Sequence, residues 1–381
     1  MMKFAKIQSL IHNIFPKRYF QRHVQNFEPV PAYFYHQIEA SEFEQICKLI
    51  VQRNFQALTI NQLLDHSFDP KAPALLLTMD DGWSSVWSIA FPLARKYGIR
   101  LTLFLVPDLI EDSSECRSTL DDSIDPAILS QRDLSDRAML TWGEVQAMHE
   151  SGYVEIQSHS LNHGMVFTSA SPCEFSTPSS PFPRADRVPM IAQVKGEDVA
   201  KSKPSLGTPL YPLAPALVAP QRFIENEKVR EQCVALVQEQ GGEQFFQQEN
   251  WQQRLQQTLN QVEEKGHWEG EQERRDRYQN DLLKAKSKIE DRLPGLKVRA
   301  FAPPWGAMHP DLSAIVQQTG HELLMLADPL PELSQENYLP IYPRLKGNAI
   351  WILLQGQILG TLAWFKANQR SKERLANGAI P

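Results

Sequence analysis

Residues 73–83 read PALLLTMDDGW. Residues 73–79 form a short, continuous apolar run, which suits a strand covered on both faces, as in a parallel sheet. The run ends on two adjacent carboxylates, Asp80 and Asp81, and a glycine, Gly82. In parallel α/β architectures reacting groups gather at this C-terminal end of the strand. Two carboxylates there can divide labour, one binding a metal while the other stays free as a base. Taken alone, Asp-Asp-Gly is also an ordinary turn after a strand.

Reading outward, residues 30–37 (VPAYFYHQ) form a strand rich in aromatic residues. Ser41 then begins a helix with a buried stripe of Phe43, Ile46, Cys47 and Ile50, and Glu44 as the partner of the cap. Residues 84–97 read as a helix, 100–106 (RLTLFLV) as a buried strand, 141–151 as a helix capped by Thr141 with Glu144, and 153–158 as a strand. Strand–helix alternation predicts a parallel sheet with helical crossovers. The pattern breaks after His163. Ten prolines fall in residues 172–220, where no regular element is expected. Residues 221–292 read as a Gln- and Glu-rich helical hairpin, broken near Gly241 and Gly266, with Phe245, Phe246, Trp251, Leu255 and Leu259 as its apolar stripe. Strands resume at residues 296–305, 321–326 and 338–343. The expectation is an α/β domain over 28–348, interrupted by an insertion at about 168–279, with helical segments at 1–27 and 349–381.

Composition bounds the partners. The 381 residues allow two ordinary domains or one large domain with an insertion. A net charge of −6 argues against nucleic acid as a partner. Four widely spaced cysteines, with no CxxC pair, argue against a cysteine-based zinc site and a dense disulfide framework. In residues 1–23, Phe4, Ile7, Leu10, Ile11, Ile14 and Phe15 recur at helical spacing among Lys3, Lys6, Lys17, Arg18 and Arg22. This stretch has no secretory apolar core, so the reading is a cytoplasmic protein whose basic amphipathic helix either packs on the body or rests on the inner membrane face. The apolar run at 349–365 is interrupted by Gln355 and Gln357 and falls short of the ~20 residues a span needs.

A second chemical constellation follows another strand end. Residues 158–163 read SHSLNH, with His159 and His163 four apart. Four-residue spacing puts both imidazoles on one face of a helical turn, where they converge on one metal. With Asp81 they make three protein ligands, which leaves positions open for water and substrate.

Together these stretches resemble the polysaccharide deacetylase family (the NodB-homology domain, carbohydrate esterase family 4). Residues 78–82 (TMDDG) are similar to its first motif, with Met79 in place of the usual Phe. Residues 159–163 (HSLNH) match its second motif, and residues 302–306 (APPWG) are similar to its third, Arg-x-Pro-Tyr-Gly. The resemblance covers about 28–167 and 280–345 and implies a deformed (β/α) barrel of about seven strands. It further implies that Asp80 is the general base and that Asp81, His159 and His163 hold one divalent ion, usually Zn2+ and sometimes Co2+ or another. The backbone N–H of Trp305 would serve the oxyanion, and Pro304 and Trp305 would bind the substrate. The implied reaction removes an N-acetyl or similar small acyl group from an amino sugar in a glycan or glycan intermediate. Hydrolysis of another C–N bond, such as a formamide or cyclic imide, and an inactive scaffold are the alternatives.

This sequence departs from the family pattern in three places. Ala302 stands where the third motif has its Arg, with Arg299 and Arg344 as nearby substitutes. No fourth motif is visible. The closest match to the last, Leu-x-His motif is residues 353–355 (LLQ), and glutamine cannot supply a titrating proton. His36 and His309 are the candidate acids, and each also reads as a structural histidine. In the insertion, Trp251 and Trp268 read either as sugar-stacking platforms or as hairpin core, and the proline-rich stretch reads as a lid. Arg274, Arg275 and Arg277 read as a solvated face paired with Glu271 and Glu273.

Deleting residues 1–23 tests the membrane reading. The shortened chain is expected to leave the membrane fraction for the soluble one; unchanged fractionation leaves the helix with no anchoring role.

Overall fold

The structure, a computed structural model, describes residues 30–180, 204–327 and 339–355. The long apolar run becomes strand β3 (Ala74–Asp81), buried at every position after its first. Before it stand β1 (Ala32–Tyr35) and β2 (Gln56–Leu58); after it come β4 (Leu101–Leu105) and β5 (Val154–Ser158). An excursion follows with six short strands, β6 (Met165–Phe167), β7 (Glu174–Phe175), β8 (Pro209–Leu210), β9 (Leu213–Pro215), β10 (Phe223–Glu225) and β11 (Gly266–Trp268). The main sheet resumes with β12 (Ala300–Phe301), β13 (Leu323–Ala327) and β14 (Ile341–Lys346).

All main-sheet pairings are parallel. Strand β1 pairs with β14 on one side and with β3 on the other, so that Ala32 lies against both Arg344 and Leu76. This closes a ring of seven strands, β1, β3, β4, β5, β12, β13 and β14, as expected from the sequence. Strand β2 pairs only with the start of β3, on the edge that β1 takes over. The two-residue period of a strand sorts side chains between ring interior and outer helices. Ala32, Leu76, Phe104, Ala300, Leu323, Met325 and Tyr342 cluster inside. Leu75, Leu77, Met79, Leu101, Leu103 and Ile156 pack outward, with Phe43, Ile46, Cys47 and Ile50 of the helix Ala40–Gln52.

That helix starts one residue before the expected cap. Glu39, not Ser41, accepts from the backbone N–H groups of Ser41 and Glu42, because its longer carboxylate reaches the same orphan donors. Residues 84–97 are helical as expected, as a π-helical turn Val86–Ala90 running into Phe91–Tyr97, which Gly98 ends in the left-handed conformation. Thr141 and Glu144 form the expected capping box.

Regular structure does occur among the described part of the proline-rich stretch. Strands β7 and β8 pair antiparallel, as do β6 and β9, because prolines at strand ends and edges cost no ladder bond. Residues 181–203 of that stretch, and with them part of the expected lid, lie outside the described residues. The helices Glu227–Glu239 and Trp251–Gln261 pack around Val229, Cys233, Val237, Phe245, Leu255 and Leu259, with Trp251 against this core. Trp268 is exposed on β11. The helix Glu271–Arg292 belongs to the barrel: Tyr278 and Leu282 pack against Phe301 and Leu324, so it serves as the crossover from β5 to β12. Two of the arginines read as a solvated face, Arg274 and Arg277, are instead engaged. Arg277 binds Glu269 at 2.7 Å and the carbonyl of Ala216, and Arg274 binds Asp311 at 2.8 Å. The N-terminal helix expected at 1–27 and residues 356–381 lie outside the described residues. Among the described residues no helix is long and apolar enough to cross a membrane.

The barrel seam at β1 and β14 is tight at Gly347, whose carbonyl accepts from the Tyr35 hydroxyl at 3.0 Å. A Cβ there would lie 2.1 Å from the Tyr35 ring. Gly347→Ala is expected to lower stability by about 1–3 kcal/mol through overpacking, read from the urea midpoint.

Candidate active site

The site lies at the C-terminal ends of β3, β5 and β12, with one side chain from β14. Along β3, the side chains of Leu76, Thr78 and Asp80 share the face that looks into the ring. Arg344, on the same inner face of β14 as Tyr342, reaches across and donates from Nη1 to Asp80 Oδ1 at 2.6 Å and to Thr78 Oγ1 at 3.1 Å. The Thr78 hydroxyl in turn donates to the Tyr33 carbonyl at 3.1 Å. The Arg344 guanidinium lies between the rings of Phe34 and Phe104, 5.1 and 5.0 Å from their centroids. Both partners of the ion pair are almost wholly buried, so each needs the other to offset its lost hydration. Asp80 Oδ2 is bonded by no described residue.

Asp81 ends the strand in the left-handed region at φ 73°, followed by Gly82 at φ 112°. This break in alternation turns consecutive carboxylates to separate tasks. Asp81 Oδ2 accepts from the Trp83 indole N–H at 2.9 Å. Asp81 Oδ1 is buried without a hydrogen bond among the described residues. It lies 3.4 Å from His159 Nε2 and 3.5 Å from His163 Nε2. His159 Nδ1 sits 2.7 Å from the Ala302 carbonyl, which can only accept, so the proton is on Nδ1 and the Nε2 lone pair faces Asp81. Burial alone would raise the Asp81 carboxyl; positive charge on the imidazoles of His163, His159 and His36, when they are protonated, holds it well below the usual carboxylate range.

The two histidines converge, but not on a helical turn. Ser160 and His163 both take left-handed backbone, at φ 73° and 53°, and the stretch is an irregular loop. The loop is held from outside: Leu161 N–H donates to Asp281 Oδ1 at 3.1 Å, and Leu161 O accepts from Asp108 N–H at 3.0 Å. Ala302 N–H donates to Ser158 O at 3.0 Å, which ties residues 302–306 to the histidine loop. Beyond Pro303 and the buried Pro304, Trp305 is left-handed at φ 59°, and its half-exposed ring stands 4.1 Å from that of His163. Gly306 fits where a Cβ would meet that of Ala327 at 2.2 Å.

Of the substitutes read from the sequence, one of each pair lies at this rim and the other lies elsewhere. Arg344 joins Asp80, whereas Arg299 binds Glu322 and Asp65 near the N-terminal end of β12. Ala302 belongs to the interior cluster, and Arg344 enters that interior from β14. His36, at the end of β1 and half exposed, places Nε2 3.9 Å from Asp81 Oδ2. His309 is engaged elsewhere, with Asp311 N–H 3.3 Å from its Nδ1 and its ring near Tyr278. Leu353 and Leu354 pack outside the ring with Phe43 and Ile46. Trp83 and Asp281 were not foreseen; both act through single hydrogen bonds that leave no pattern in sequence.

Ligand atoms of Asp81, His159 and His163 lie within 4.8 Å of one another, and all three residues are buried. An orphaned carboxylate oxygen facing two imidazole Nε2 atoms is a donor set that fits a divalent ion, and the cluster can hold one.

Residues 68–177 match the sequence model of a family described as polysaccharide deacetylase. YxkH of Bacillus subtilis (strain 168), named a polysaccharide deacetylase by inference, is 23% identical over 145 residues, 35% of this chain and 43% of YxkH. The match thus spans less than half of that curated relative. Among solved structures, the BpsB deacetylase domain of Bordetella bronchiseptica has a TM-score of 0.49 and 16% identity, covering 84% of this chain and 97% of that one. A de-N-acetylase of Aggregatibacter actinomycetemcomitans has a TM-score of 0.46 and 14% identity, covering 83% and 94%.

Burial raises the Asp281 carboxyl to about 7, although the Leu161 N–H opposes the shift. The folded state therefore keeps this proton after the unfolded chain has released it, and stability from this group is lost as pH rises toward 7. Asp281→Asn keeps an acceptor for Leu161 and removes the charge. The variant is expected to gain thermal stability over the parent at pH 8 and little at pH 5; equal gains at both would exclude titration of Asp281 as the cause.

Proposed function

We propose that this chain, which belongs to the polysaccharide deacetylase family, hydrolyses an N-acetyl or similarly small N-acyl group from an amino sugar in a glycan or glycan intermediate. The observation that carries the reading is the pairing of two unlike carboxylates at one rim: Asp80 on a buried arginine, Asp81 on two histidines. Asp81 Oδ1, His159 Nε2 and His163 Nε2 are the groups that would hold one divalent ion, Zn2+ by their nitrogen and oxygen donors, with Co2+ as a substitute. Such an ion supplies Lewis-acid polarisation and lowers the pKa of water toward ~7.

The remaining work falls to the chain. Arg344 fixes Asp80 through Oδ1 and leaves Oδ2 to take a proton from the attacking water. Water oxygen bonds to the acyl carbon, the C–N bond breaks, and the amine leaves with a proton. His36, half exposed beside Asp81, is the group positioned to give that proton. The Trp305 N–H would serve the negative charge on the acyl oxygen, and its ring, set against His163, with Pro304 behind it, would wall a pocket suited to a small acyl group.

Metal content and acetate release from N-acetylglucosamine oligomers test the reading together. Asp80→Asn is expected to keep about one zinc per chain and lose about 10²–10⁴-fold in acetate release, the usual weight of a general base. Asp81→Ala is expected to lose both. A wild-type chain that binds no divalent ion, or an Asp80→Asn variant of full activity, would overturn it.

A further inference from the structure

The excursion between β5 and β12 bears an open cleft of about 690 Å³ that the reaction above does not use. That volume lies within the range of about 300–1,000 Å³ usual for small-ligand sites. One wall is the loop around β7, with Phe175, Thr177 and Ser180; the other is the first turns of the helix Trp251–Gln261.

The helical wall has an unusual composition. Gln252, Gln253, Gln256 and Gln257 fall at i, i+1, i+4 and i+5, so they share one side of the helix, apart from the buried Leu255 and Leu259. Gln256 donates to Asn260 at 3.2 Å, whereas the side chains of Gln252, Gln253 and Gln257 bond to no other described residue. Trp251 is held edge-on against Phe246, ring centroids 5.2 Å apart, and its indole N–H donates to no described residue. The lining carries one carboxylate, Glu174, and no Lys, Arg or His.

Each feature narrows the ligand. A lining without cations does not suit an anion. An apolar ligand would leave a row of amides unpaired, at a cost for each. Amides and hydroxyls both donate and accept, which complements a ligand made of hydroxyl groups, and a rigid indole offers an apolar face beside a polar edge. We propose that this cavity is a second saccharide subsite, which holds neutral sugar residues of the glycan whose acyl group is cleaved at Asp80 and Asp81. The identity of that glycan rests on the deacetylase reading; the preference for a neutral sugar rests on the cavity.

The test uses the full chain and the N-acetylglucosamine pentamer, with binding measured by calorimetry. Gln253→Ala with Gln257→Ala changes two exposed helix positions to a residue that favours helix, so the fold is retained. This double variant is expected to weaken pentamer binding about tenfold, while Asp80→Asn binds as the parent does. Exposed Cys173 also lines the cavity and gives a readout without altering it. In a Cys116→Ser background, the pentamer is expected to slow maleimide labelling of Cys173 several-fold. Parent-like binding by the double variant, or labelling indifferent to the pentamer, overturns the subsite. If the wild type binds and protects but releases no acetate, the deacetylase reading fails and the subsite stands.

Discussion

The contact on which the site depends is the ion pair of Arg344 with Asp80, sealed inside a ring of strands. A guanidinium at that depth needs an oxygen acceptor opposite it, and the contact forms only if β14 lies beside β1 and β1 beside β3. Closure of the barrel and placement of the base are therefore the same event. The rings of Phe34 and Phe104 on either side leave the arginine little freedom, so Asp80 presents its second oxygen in a fixed direction.

Much of this was legible in the sequence, and the limits have physical causes. Strands β3 and β4 announced themselves because burial on both faces demands nearly unbroken apolar runs. Asp81, His159 and His163 were identifiable because metal chemistry restricts the residue types. Their geometry was misread, since a four-residue spacing is met equally by a helical turn and by a loop with left-handed residues at Ser160 and His163. Arg344 could be named but not chosen over Arg299, because distance across a barrel has no trace along the chain. Short strands such as β7 and β8 escaped because two-residue ladders are set by tertiary packing rather than by propensity.

The excursion is joined to the barrel by more than its ends. The helix that closes it, Glu271–Arg292, packs on the barrel through Tyr278 and Leu282 and also carries Asp281, which holds the histidine loop through Leu161. A segment that reads as an addition thus supplies part of the frame around the donor set. The rest of the excursion has a small core of its own, around Val229, Cys233 and Leu255.

Seven non-glycine residues take positive φ among the described residues, and four of them, Asp81, Ser160, His163 and Trp305, form the site. Each costs about 1–3 kcal/mol relative to relaxed backbone, a load that the rest of the barrel sustains. Selection for heat resistance alone would act against these four positions first. A laboratory lineage evolved for hardiness, without a demand for turnover, would therefore drift toward a sturdier barrel with a relaxed and silent rim.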